Sequence, residues 1–150
     1  MEYSLFALDI ESSTSEILKT CRELGVAIVA FSPIGRGVLT GQFQSREDIP
    51  EGDLRRMLPK YSEENFPKIL ELVQGLKDVA NAHGSTPAQV ALAWLLAQGP
   101  EIIPIPGTKS TTKMDENAAS ALLQLSDQEV QEIRTLVEGI EIKGPRYPGS

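Results

Sequence analysis

Residues that carry specialised chemistry are scarce in this chain. It has one cysteine, one histidine and one tryptophan among 150 residues, and aromatic residues make up 5%. A lone cysteine excludes an internal disulfide and fits a reducing cytosol, so a cytoplasmic location is expected. The histidine, His83 in Asn81-Ala82-His83-Gly84, has no cysteine or carboxylate cluster at metal-ligand spacing around it, so no metal site is expected. It reads as a residue at a helix C-terminus, where an imidazolium favours the helix dipole. No apolar run approaches the roughly 20 residues that span a bilayer. Met1-Glu2-Tyr3-Ser4 lacks the cationic lead-in of a signal peptide. Basic residues are in deficit, with Lys+Arg 14 against Asp+Glu 21. The net charge of -7 argues against nucleic acid or an anionic membrane as partner.

What is present is an ordinary globular composition, 41% apolar and 23% charged, in a chain long enough for one domain with a core. Apolar runs of strand length alternate with amphipathic, capped segments. A short strand is expected near 3–6. Ser13-Thr14-Ser15-Glu16 predicts a capping box, followed by an apolar stripe of Ile17, Leu18, Cys21 and Leu24 and closure at Gly25. The continuous apolar run 26–31 predicts a strand covered on both faces. Residues 41–62 are irregular and long for a β/α connection, as functional lids often are. A helix over about 63–82 should face Ile69, Leu70, Val73, Leu76, Val79 and Ala80 inward. Thr86-Pro87-Ala88-Gln89 is a second capping box opening a helix to about Gln98, and Trp94 falls in its apolar run. A strand at 102–105, helices near 112–123 and from Ser126 to Gly139, and an irregular tail from Lys143 complete the pattern.

Two turns carry the chemistry. Ile102-Ile103-Pro104-Ile105-Pro106-Gly107-Thr108-Lys109 ends a strand and presents a hydroxyl and an ammonium, with Lys113, Glu116 and Asn117 following on a helix. A helix N-terminus with unpaired N–H groups and nearby cations can hold a phosphate. The run 26–31 ends likewise in Ser32-Pro33-Ile34-Gly35-Arg36-Gly37, where glycines permit close backbone approach and Arg36 offers a forked cation. Taken alone, that second turn reads equally as a glycine-rich surface turn, because Gly-x-Gly without its remainder is a weak signal. Phe31 is by pattern a core or rim aromatic as readily as a stacking face. Two strands opening into small basic turns look like adjacent strand ends of a β/α barrel.

At Ala30-Phe31-Ser32-Pro33-Ile34-Gly35-Arg36-Gly37-Val38-Leu39-Thr40-Gly41, Pro87-Ala88-Gln89-Val90-Ala91-Leu92-Ala93-Trp94 and Pro104-Ile105-Pro106-Gly107-Thr108, the chain resembles the aldo-keto reductases. The likeness runs in order over residues 2–148 and covers only the C-terminal half of such an enzyme. It implies an α/β fold, the C-terminal half of a (β/α)8 TIM barrel, in an NADP(H)-dependent oxidoreductase that reduces aldehydes and ketones to alcohols. The family's catalytic aspartate, tyrosine, lysine and histidine belong to its first half, and no positions here match them.

The resemblance assigns roles residue by residue. Phe31 matches the aromatic that stacks on the nicotinamide. Ser32, Ile34, Gly35 and Arg36 match the segment over the pyrophosphate. Gly107, Thr108, Lys109 and Lys113 form the turn for the adenosine 2′-phosphate, and Glu116 and Asn117 match the pair at the adenine edge. None of Tyr3, Tyr61 and Tyr147 has the surroundings that would tune a tyrosine as proton donor, although Tyr3 lies near a strand end. Two other readings stay open: a non-catalytic NADP(H)-binding or interaction module, and a truncated product. A small-molecule carbonyl is the substrate expected of the complete enzyme. The unpaired edges of a half barrel predict self-association.

Overall fold

The computed structural model describes residues 1–144. The expected irregular tail and Tyr147 fall mostly or wholly outside them. Helix α1 (Ile17–Leu24), strand β1 (Ile28–Ala30), the short helix α2 (Leu54–Met57), helices α3 (Phe66–Ala82) and α4 (Pro87–Leu96), strand β2 (Ile102–Pro104) and helices α5 (Thr111–Ala119) and α6 (Asp127–Gly139) follow in order. The two strands pair in parallel, Ile28 with Ile102 and Ala30 with Pro104. Parallel neighbours need a crossover, and α3 and α4 supply it. On the other side of β1 the first residues add one parallel bridge, Glu2 to Phe31, in which the Phe31 N–H donates to the Met1 carbonyl at 2.9 Å.

No continuous strand forms near 3–6, where the only other bridge among the described residues is an antiparallel one between Ser4 and Ala7. The Ala7 N–H donates to the Ser4 carbonyl at 3.0 Å, which turns the chain away from the sheet. The capping box at Ser13 to Glu16 does not form either. Ser15 Oγ donates to the Asp9 carbonyl at 2.8 Å, Glu16 takes a left-handed conformation with φ 47°, and the helix begins at Ile17. Gly25 closes α1 at φ 65° as its sequence position predicts, but Leu24 points outward and is 72% exposed. The stripe therefore narrows to Leu18, which is buried, and half-buried Ile17 and Cys21.

The capping box at Thr86 is present. Thr86 Oγ1 accepts the Gln89 N–H at 3.3 Å and Gln89 Oε1 accepts the Thr86 N–H at 3.0 Å. The α4 helix it opens is buried on every side from Val90 through Leu95, as an all-apolar stretch of helix requires. It packs on α3, β2 and α5. Trp94 is fully buried beneath the Arg134 guanidinium, which lies 4.6 Å from its ring centroid, and its Nε1–H donates to the Val130 carbonyl.

One face of the strand pair is open, contrary to the expectation of strands covered on both sides. Ile28, Ala30 and Ile102 are buried, whereas Val29 and Ile103 are 49% and 47% exposed. Side chains alternate across a sheet, and among the described residues helices cover one face of this one. Between α4, β2 and α5 lies an apolar groove of about 480 Å³ containing Leu96, Pro104 and Met114.

His83 ends α3 as expected, and its Nε2 meets Glu129 Oε1 at 2.6 Å, tying α3 to the start of α6. The Ser126 backbone N–H, His83 and the Ser126 hydroxyl together hold the Glu129 carboxyl at a pKa of about 2. A carboxyl with a depressed pKa contributes stability above its unfolded value, about 4.5 here, and loses it as pH falls through the folded one. The stability difference between the wild type and Glu129→Gln should therefore shrink steadily from about pH 4.5 to about pH 2. Urea unfolding at several pH values measures it. A difference that does not change over that window would contradict the assignment.

Candidate functional site

The turns after β1 and β2 meet at a cleft of about 320 Å³. Six residues singled out from the sequence line it: Ile34, Gly107, Thr108, Lys113, Glu116 and Asn117. Phe31, Ser32, Gly35, Arg36 and Lys109 do not. Phe31, Ser32 and Arg36 are half-buried, Gly35 is buried, and Lys109 is exposed, next in sequence to Thr108 of the lining. The larger apolar groove has no charged residue in its lining, so the polar chemistry belongs to the smaller cleft.

The β2 turn is organised by its own hydroxyls. Thr108 Oγ1 accepts the Ser110 N–H at 3.1 Å, and Ser110 Oγ accepts the Lys113 N–H at 3.4 Å as the N-cap of α5. Thr108 in this turn and Lys113 in the first turn of α5 both line the cleft. Lys113 Nζ lies 2.6 Å from Glu116 Oε2 with its side chain 57% exposed. Thr86 Oγ1 donates to Glu116 Oε1 at 2.9 Å, and Gln89 Nε2 donates to the Glu116 carbonyl at 3.0 Å. Burial opposes ionisation of Glu116, but the bonds from Lys113 and Thr86 outweigh it and keep its pKa below the usual carboxylate value. The capping residues of α4 therefore also hold α5 in place.

The β1 turn is backbone-led. Ser32, Gly35, Arg36 and Gly37 all have positive φ, at 53°, 58°, 54° and 88°. Gly35 is required there for a second reason: a Cβ on it would lie 2.6 Å from the Phe6 ring. Loop 41–62, which the sequence leaves irregular, is folded and braced. Arg46 Nε donates to the Tyr61 carbonyl at 2.9 Å and Arg56 Nε to the Ile49 carbonyl at 2.6 Å, above a base of buried Ile49, Leu58 and Tyr61. Of this loop, Gly41 and Gln42 line the cleft. Gly37, read from the sequence as a glycine permitting close backbone approach, also lines the cleft, as do Thr40, Gly41, Gln42 and Ala88, which were missed by sequence reasoning. Gly37, Thr40, Gly41 and Ala88 fall within matched motifs, but Gln42 lies in the irregular segment and carried no signal.

The two tyrosines within the described residues are structural. Tyr3 is fully buried, and its hydroxyl donates to Glu11, which Arg134 holds through bonds of 2.6 and 3.0 Å. Burial, and then the Glu11 carboxylate, push the Tyr3 pKa up. Tyr61 is 2% exposed and burial raises its pKa too.

A chain of parallel strands whose end turns meet over a helix N-terminus has the layout of one sector of a β/α barrel. The family model for the Aldo/keto reductase family matches residues 1–138. The chain belongs to this family. It is 53% identical over 146 residues to aldo-keto reductase str7 of Strobilurus tenacellus, covering 97% of this chain and 44% of that protein. Against aldo-keto reductase yakc [NADP(+)] of Schizosaccharomyces pombe it is 49% identical over 148 residues, covering 99% and 44%. The chain thus spans less than half the length of these aldo-keto reductases. Among solved structures it is similar to a thermostable aldo-keto reductase, Tm1743, in complex with the inhibitor epalrestat. There the TM-score is 0.64 with 27% identity, over 90% of this chain and 38% of that one. The glycerol dehydrogenase AKR11B4 of Gluconobacter oxydans gives a TM-score of 0.82 at 24% identity, over 99% and 44%, which is a likeness of fold. The aldo-keto reductase chain described here is a partial α/β barrel.

Proposed function

We propose that this chain forms the NADP(H)-holding part of an aldo-keto reductase that reduces a small-molecule aldehyde or ketone to the alcohol. The observation that carries the reading is the meeting of both turns at one cleft, which Thr108 and, from the first turn of α5, Lys113 both line. A 2′-phosphate calls for a hydroxyl and positive charge, and Thr108 and Lys113 on this wall carry them. The donor set fits the cofactor, and the relative yakc carries NADP(+) in its name.

In the bound state Thr108 and Lys113 would engage the 2′-phosphate, with Lys109 adding positive charge beside them. Glu116 and Asn117 would meet the adenine edge. The backbone of Ile34 to Gly37, with Ser32 and Arg36, would cover the pyrophosphate, and Phe31 would offer a flat face to the nicotinamide. NADPH supplies hydride to the carbonyl carbon when bound. The chain's own contribution is binding and orientation, which make the transfer effectively intramolecular.

A second reading is favoured by the buried tyrosines: the chain by itself binds cofactor without turning it over. Titration of the purified protein with NADPH and NADH, followed by cofactor fluorescence, tests both readings. NADPH should bind more tightly. Equal affinities would remove the 2′-phosphate assignment, and no binding of either would remove the site.

A further inference from the structure

Three successive carbonyl oxygens in the β1 turn each accept a hydrogen bond from a side chain. The Gly35 carbonyl accepts from Tyr61 Oη at 3.2 Å, the Arg36 carbonyl from Arg55 Nη1 at 2.9 Å, and the Gly37 carbonyl from Thr40 Oγ1 at 2.7 Å. We propose that Tyr61 and Arg55, which lie outside the cleft, are positioning residues for the phosphate-bearing middle of a dinucleotide, acting by fixing the left-handed backbone of Gly35 to Gly37. The proposal rests on the reading of the cleft as a nucleotide site, and it assigns a task to loop 41–62 within it.

Left-handed φ at a non-glycine residue is costly and persists only where the surroundings over-determine it. Arg36 is such a residue, between two glycines that share its conformation. The side chains gripping the stretch are themselves immobilised. Arg55 donates through Nε and Nη2 to the two oxygens of Asp53, at 2.9 and 2.8 Å, and its guanidinium lies 4.8 Å from the Phe43 ring centroid. Its remaining Nη1 is thereby aimed at the Arg36 carbonyl. Asp53 is fixed in turn, since Oδ1 also accepts the Arg55 N–H as the cap of α2. Tyr61 is packed edge-on against Phe6, with ring centroids 6.0 Å apart, and the same Phe6 ring blocks any side chain at position 35. Holding the carbonyls from behind sets how the peptide planes of this turn face the cleft, so the protein supplies the loop preorganised instead of ordering it on binding.

The split between two ligands separates positioning from simple folding. Adenosine 2′-monophosphate would reach the β2 turn but has nothing to place under the β1 turn. Tyr61→Phe keeps the ring and its packing and removes one hydroxyl. Arg55→Lys keeps charge and stem and loses the fork. Each variant should weaken NADPH about three- to tenfold, as for loss of one hydrogen bond, and leave adenosine 2′-monophosphate affinity unchanged. NMR titration of the full chain reads both, and binding of the monophosphate shows that the variant is folded. Equal losses for both ligands, or no loss for either, would overturn the positioning role while the cofactor reading stands. A wild-type chain that binds neither ligand would remove both.

Discussion

Replacing Lys113 by alanine is expected to weaken NADPH about ten- to a hundredfold and to leave NADH nearly unaffected. A charge-assisted hydrogen bond contributes about 1.5–3 kcal/mol, which spans that range. The setting pushes the effect towards its upper end. Glu116 is 16% exposed and anchored by Thr86, so it stays in the cleft when its partner is removed. The 2′-phosphate would then face an unneutralised carboxylate as well as a lost cation. Stability should change little, because an ion pair whose lysine is mostly solvated contributes at most about 1 kcal/mol. Parallel titrations with the two nucleotides, together with a denaturation midpoint, provide the measurement. Equal losses for NADPH and NADH would show that Lys113 acts on something the two share.

The second large effect is an expected absence of catalysis: the 150-residue chain alone should not reduce nitrobenzaldehydes with NADPH at a measurable rate. General acid catalysis contributes about a hundred- to ten-thousandfold, and it needs a proton donor within reach of the carbonyl oxygen. Tyr3, which lies near a strand end and suggests itself from the sequence, donates instead to Glu11 beneath Arg134 and Trp94. Its raised pKa makes its proton harder to release at neutral pH. Tyr61 is spent on the Gly35 carbonyl. An absorbance assay at 340 nm (the NADPH band) follows turnover, with Tyr3→Phe as the companion variant. Turnover that Tyr3→Phe abolishes would place a catalytic acid where the structure places a buried support.

Local features of this protein are legible in the residues themselves. The Thr86 capping box, the helix start at Ser126, the glycine closure at Gly25 and the two parallel apolar strands appear where spacing and composition put them. Such signals depend on groups a few positions apart, and the energetics are settled within one turn of chain. The Ser13 to Glu16 box does not form because Glu16, which it needs inside the first turn, is left-handed at φ 47° and stands as the N-cap just before Ile17.

The candidate site divides in the same way. Thr108, Lys113, Glu116 and Asn117 line one cleft, and their grouping is legible because they lie on one turn and one short helix. Tertiary structure alone decided which of the two turns' residues share the cleft, that loop 41–62 is braced by its own arginines, and that one strand face stays open. Thr86 meets Glu116 across 30 positions and Tyr61 meets Gly35 across 26. No periodicity encodes those pairings, because they exist only after α3 and α4 have packed the two strands side by side and brought their end turns together.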